Sequence, residues 1–201
     1  VFDRFLAFYK AAQQDRRDGY GPELFTGLAP GELVEARRLL LARALQGETI
    51  DLQALAHVGD AEVIETLRHA QASDERLGYT FSVGRLETLF RLTGDPACLD
   101  GLFAWVDSED PRARRFAAQA FSRHTLPRQF AAHFVQRLTS RRYQDVALPL
   151  VTGWLATQGI QTEDITTFNR YLPFIRSVMA APPSRRRSLL ANWMNNETDS
   201  R

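Results

Sequence analysis

The sequence predicts an all-α fold, a solenoid of short antiparallel helical hairpins stacked side by side and closed by irregular caps at both ends. Three observations predict it. Apolar side chains recur at helical spacing from end to end, with no convincing strand-like alternation. Asp-Pro opens consecutive helical stretches in TGDPACLDGLFAWVDSEDPRARRFAAQAFSRH, residues 93 to 124. Related segments also return at fixed offsets: GDAEVIETL (59 to 67) overlays GDPACLDGL (94 to 102) at 35 residues, and LPRQFAAHF (126 to 134) overlays DPACLDGLF (95 to 103) at 31. In these registers Ile64, Leu99 and Phe130 coincide, as do Asp60, Asp95 and Leu126. The second helices agree at Leu86 and Ala117, Leu89 and Ala120, Phe90 and Phe121. A two-helix unit cannot bury its apolar stripe alone, so it stacks on copies of itself, and each copy needs a sharp restart.

Residues 1–50 form the N-terminal cap. Phe2, Phe5, Leu6 and Tyr9 make its first stripe, ended by QQDRRDGYGP, and Leu33, Ala36, Leu40 and Ala44 make the second, between Pro30 and a stop at Gly47. Hairpins follow over 51–158. Asp51 and Asp60 are expected N-caps of helices at 52–58 and 61–72. Further helices are expected at 83–92, 96–106, 111–123, 127–138 and 146–157, where Pro149 should kink or restart the last. Asp95 with Pro96, and Asp110 with Pro111, supply the cap and first turn that each restart needs. Residues 159–195 read as a C-terminal cap with helices at 160–179 and 184–195, Ser184 acting as N-cap, and 196–201 as a frayed tail. The whole chain, 1–201, reads as one helical-repeat domain.

The stretch DPRARRFAAQAF, 110 to 121, closely resembles the second helix of a HEAT-type repeat. Asp110 and Pro111 stand at its start, Ala113 and Arg114 in the valine-arginine positions, then Ala117, Ala118, Ala120 and a large apolar Phe121. The resemblance is clearest there and extends over 59–123. It implies that Asp110 and Arg114 tie adjacent repeats together. HEAT-like proteins include scaffolds, nucleic-acid binders and a few enzymes, so the fold alone does not select a function.

Composition narrows the classes. With 44% hydrophobic and 24% charged residues the 201-residue chain is neither disordered nor membrane-like. No apolar run approaches the roughly 18 residues of a membrane helix, and VFDRFLAFYK is too broken by charge for a signal peptide. One cysteine, Cys98, fits a reducing compartment and precludes an internal disulfide or thiolate metal cage, so a cytoplasmic location is expected. The net charge of +1 offers no global field for nucleic acid, so any basic recognition is local. Of 25 basic residues only Lys10 is lysine. A GC-rich coding genome accounts for that bias; an interface, where the planar guanidinium tolerates partial desolvation, is the functional alternative.

No residue set calls for chemistry, and no catalytic residue, cofactor or metal is predicted. The four histidines, His57, His69, His124 and His133, include no i, i+4 pair. Glu62 and Glu65 are followed by Arg68 and His69 at salt-bridge spacing and read as a solvated face. Ser122 and His124 lie two apart, which does not bring helical side chains together. Gly19-Tyr20-Gly21 is a turn, lacking the strand and third glycine of a dinucleotide site. Trp105, Trp154, Trp193, Phe103 and Phe116 read as packing aromatics rather than a base-binding cleft like that of HEAT-like DNA alkylation-repair glycosylases.

Arginine clusters occur at Arg37–Arg38, at Arg112, Arg114 and Arg115, at Arg141–Arg142 and at Arg185–Arg187. Arg112, Arg115 and Gln119 share a helical face and are expected to point into a groove beside Glu87 and Arg91. That mixture of signs suits a protein partner. The expected function is therefore non-catalytic protein binding, in its sharpest form a bacterial immunity protein that occludes a cognate toxin. An assembly or chaperone adaptor is the alternative, and a nucleic-acid-binding or alkylation-repair protein is disfavoured.

Overall fold

The computed structural model describes residues 1–11, 13–16 and 19–198, and all regular structure among them is helical. The eleven α-helices found there are α1 (Phe2–Lys10), α2 (Pro30–Ala44), α3 (Thr49–Val58), α4 (Ala61–His69), α5 (Asp74–Thr93), α6 (Pro96–Val106), α7 (Pro111–Ala120), α8 (Ala131–Leu138), α9 (Ala147–Thr157), α10 (Ile165–Ala180) and α11 (Pro183–Thr198). None of the helices among the described residues is long and apolar enough to cross a membrane. The chain divides into two compact units, Val1–Trp105 and Val106–Arg201.

Local chemistry sets most helix starts as the sequence suggests. The carboxylates of Asp60, Asp95 and Asp110 accept the N–H groups of Val63, Ala97 and Arg112 at 3.1, 2.9 and 2.9 Å, satisfying donors that the first helical turn leaves open. Asp164 does the same for Thr167 at 2.7 Å and starts α10, which places that start later than the apolar pattern implied. Pro149 neither kinks nor restarts a helix, because α9 begins at Ala147 and the proline falls within the first turn, where no N–H is required. Ser184 is not an N-cap, since Pro183 already occupies the first helical position of α11. That helix runs to Thr198, and positions 199–201 of the expected frayed tail lie outside the described residues. The helix expected at 127–138 opens as a 3-10 turn, Arg128–Phe130, before α8. Gly78, at φ +79°, adopts a conformation open chiefly to glycine and breaks α5 near its start.

In the first unit α5 is the central helix: of residues 81–90 only Leu86 escapes burial. It packs against α3 and α4, and α3 packs in turn on α2. The Thr88 hydroxyl donates to the Leu52 carbonyl at 3.0 Å, linking α5 to α3.

Asp51, expected as a cap, is instead an interior residue of α3 with 0% exposure. It accepts the Tyr20 hydroxyl at 2.6 Å and lies 3.1 Å from Arg16 and 3.2 Å from Arg43 of α2. Burial and the Asp51 carboxylate together push the Tyr20 phenol well above its ordinary pKa. Arg43 also donates to the Tyr9 carbonyl at 2.7 Å, with its guanidinium 4.6 Å from the Tyr9 ring, so one carboxylate gathers α1, α2, α3 and the segment around Arg16.

In the second unit α9 holds the centre. Leu150 to Thr157 are all buried, against α7, α8 and α10. The Trp154 ring meets Trp193 of α11 edge-on at 5.3 Å and Phe174 of α10 at 5.8 Å, which makes these aromatics packing groups. Gly153 has no room for a side chain: a Cβ there would sit 2.5 Å from the Phe134 ring and 3.0 Å from Phe121 Cβ.

Two stability measurements check these cores. Asp51→Asn should cost about 3 kcal/mol or more in urea unfolding, because it leaves buried guanidinium charge without its counterion; a loss under about 1 kcal/mol contradicts the role assigned to Asp51. Gly153→Ala should cost about 2 kcal/mol through overpacking, and an unchanged unfolding midpoint would show that α8 and α9 are not in close contact there.

Candidate protein-binding surface

Helix α7 is built to show one face and lock the other. Its alanines, Ala113, Ala117, Ala118 and Ala120, are buried, and their small size permits close packing against α9. Arg112, Arg115 and Gln119, at i, i+3 and i+7, lie exposed on the other side. Among the described residues neither the Arg112 nor the Arg115 guanidinium has an ion-pair or hydrogen-bond partner. Arg114 does the opposite: its Nη2 donates to the Ser108 carbonyl at 3.1 Å, and its Nη1 to the Arg142 carbonyl at 3.0 Å and to Asp145 at 3.2 Å. These bonds fix the rotation of α7 and hence the direction of its exposed stripe.

A second anchor holds the turn before α7. Arg137 of α8 grips Asp107 with both arms of its fork, at 2.9 and 2.6 Å, and the Tyr143 hydroxyl donates to the same carboxylate at 2.8 Å. Arg142 donates to the Asp107 carbonyl and to the Glu109 carboxylate, the latter at 2.6 Å. Burial alone would raise the Asp107 carboxyl, but the hydrogen bonds from Arg137 and Tyr143 and the nearby guanidinium charges hold it below the ordinary carboxylate value. On the neighbouring helix α9, Leu148 in the first turn remains 43% exposed.

The remaining candidates divide between surface and interior. Arg91 is exposed near the end of α5. Together with burial, which is the larger cause, its charge keeps the His57 imidazole below its ordinary pKa. Glu87 is not a surface residue: at 3% exposure it lies inside the first unit, one helical turn from Val83 and Phe90 on the apolar stripe of α5. Arg91 and Glu87 belong to the first unit, and Arg112, Arg115 and Gln119 to the second. Asp95 and Pro96 act locally as the start of α6. Glu65 pairs with Arg68 at 2.7 Å on an exposed face.

Each arginine cluster commits one member to bonds within its own unit. Arg37 donates to the Val58 carbonyl and pairs with Asp60 at 2.6 Å. Arg114 and Arg142 are engaged as above. Arg186, 1% exposed, takes no carboxylate among the described residues; it donates to the carbonyls of Val178, Ala181 and Leu138 at 3.1 Å each and to the Gln144 amide oxygen at 2.7 Å. Those carbonyls stand at the C-terminal ends of α10 and α8, where the helix dipole favours a cation. Burial still lowers the Arg186 pKa. Helical phase carried the signal. Arg37, Arg114 and Arg186 each lie three, four and seven residues before apolar positions, so each sits on a buried stripe.

Charge is strongly segregated. The first unit carries eleven basic and sixteen acidic residues, a net of −5, whereas the second carries fourteen basic and eight acidic, a net of +6, and all fourteen cations are arginines. The near-neutral total conceals two charged units.

A cavity of roughly 400 Å3 in the first unit is lined by Arg68, Arg85, Asp95, Cys98 and Trp105 among others. Burial and the Asp95 charge push the Cys98 thiol up, so it stays protonated at neutral pH and is no ready nucleophile.

The Asp107 anchor has a pH signature. Because its native pKa is depressed relative to about 3.9 in the unfolded chain, its contribution is present above about pH 4 and fades as pH falls through the lower native value. The urea midpoints of the parent and Asp107→Asn should therefore differ at neutral pH and converge in acid; a gap independent of pH would be inconsistent with an ionised anchor.

Comparison with models of protein families, with curated proteins and with solved structures finds no match for this chain.

Proposed function

We propose that this protein is a non-catalytic binding module for another protein, built from stacked HEAT-like hairpins, and that α7 presents its contact surface. The observation that carries this reading is the pair of guanidinium groups of Arg112 and Arg115, exposed and without described partners on a helix whose orientation Arg114 secures. Side chains held on a rigid element before a partner arrives reduce the ordering cost of association. Arginine suits the role because its planar fork is preorganised for carboxylates and tolerates partial desolvation.

Support for the stacked arrangement comes from within each unit. In the first, α3 lies beside α5; in the second, α7 lies beside α9, so second helices of successive hairpins are neighbours. The bond from Arg114 to Asp145 joins α7 to the segment leading into α9, which agrees with the inter-repeat tie that the HEAT resemblance implies for this arginine. In its specific form the proposal is immunity: the module works in the cytoplasm and masks the active site of a cognate toxin.

Co-expression with the product of the adjacent gene, followed by calorimetry of the purified pair, tests this reading. A complex of roughly nanomolar affinity is expected, weakened about a hundredfold or more by Arg112→Glu with Arg115→Glu while the helical circular dichroism is retained. Absence of a complex, or one indifferent to both substitutions, would count against α7 as the contact surface.

A further inference from the structure

The charge division specifies the kind of partner. Resting on the protein-binding reading above, we infer that the α7 surface takes an acidic protein face, with carboxylates opposite Arg112 and Arg115 and an apolar side chain against Leu148.

Arg112 and Arg115 are three residues apart on a helix, so their Cβ atoms lie about 5–6 Å from each other, a spacing that two carboxylates on one turn of a partner helix or in a tight loop can match. Each guanidinium can take a carboxylate with two parallel hydrogen bonds. Arg141, exposed and also without a described partner, begins the segment that Arg114 pins to α7 through the Arg142 carbonyl. The unit that carries all three has a net charge of +6 without a single lysine. An acidic face is drawn to it from beyond contact range, most strongly at low salt, where screening is weak.

Three features favour a protein over a polyphosphate. Glu109, 90% exposed, and Asp110 precede Arg112 and interrupt any continuous positive track along which a nucleic-acid backbone could run. Leu148 offers apolar contact on the helix packed beside α7, which suits a protein interface core and contributes nothing to phosphate binding. The first unit, at −5, leaves the whole chain with a net charge of only +1, so the long-range attraction of an extended polyanion is weak.

The test uses the full chain and fluorescence anisotropy with three labelled probes: an oligoglutamate peptide of about ten residues, an oligoarginine peptide of the same length, and a DNA oligonucleotide of about 20 nucleotides. Salt is set at about 50 and about 300 mM NaCl. The inference expects the acidic peptide to bind best and to weaken at the higher salt. Arg112→Glu with Arg115→Glu should reduce its affinity about tenfold or more, whereas Arg76→Glu, an exposed change in the first unit, should leave it within about twofold. Arg112→Gln with Arg115→Gln, which removes charge without reversing it, guards against misfolding and should still cause a loss. If the acidic peptide fails to bind, or binds equally well to both double variants, the acidic class is overturned, while a complex with the adjacent gene product would still uphold protein binding. If DNA binds more tightly than the acidic peptide and loses affinity in the same variants, both the inference and the protein-binding reading fall.

Discussion

Inward-turned guanidinium groups hold the irregular segments of this protein onto its helices, and the exposed surface depends on them. In the first unit Arg16 and Arg43 converge on the fully buried Asp51. In the second, Arg137 takes Asp107 with both arms, and Arg186 collects carbonyls from the ends of α8 and α10. Desolvating such groups is costly, and only saturation with acceptors offsets that cost. The internal arginines meet this condition: Arg186 alone makes bonds to three carbonyls and an amide oxygen at 3.1 Å or less.

The same residue type therefore does two kinds of work. Arg114 is spent inside the second unit, and the bonds it makes there hold α7 with its neighbours Arg112 and Arg115 on the exposed side. The buried alanines of α7 reinforce this, since small side chains bring the helix close to α9 and leave little slack. Stiffness of the exposed face of α7 thus follows from packing behind it. The charge division adds a longer-range component, because a −5 unit and a +6 unit in one chain set up fields of opposite sign that extend beyond contact range.

Helical phase made much of this legible. The buried alanines of α7, the exposed pair Arg112 and Arg115, and the starts at Asp60, Asp95 and Asp110 all follow from spacing and cap chemistry, which act within a few residues. The burial of Glu87 was present in the same phase, for it shares a stripe with Val83 and Phe90, yet its charge argued for the surface. Arg186 repeats that conflict: its place four residues before Leu190 puts it inside, while its company in a run of three arginines suggested solvent.

By itself, then, the sequence determined that this protein is helical, where most of its helices begin, and which stripe of each is apolar, because those properties are set by backbone hydrogen bonding and side-chain spacing along a single segment. Only the tertiary structure decided which charges are internal, as with Asp51 held by Arg16 and Tyr20 from more than thirty residues away. It also divided the chain into two units of opposite charge. Both outcomes depend on which distant segments meet, since the energy of a charge is fixed by its surroundings rather than by its position in the chain.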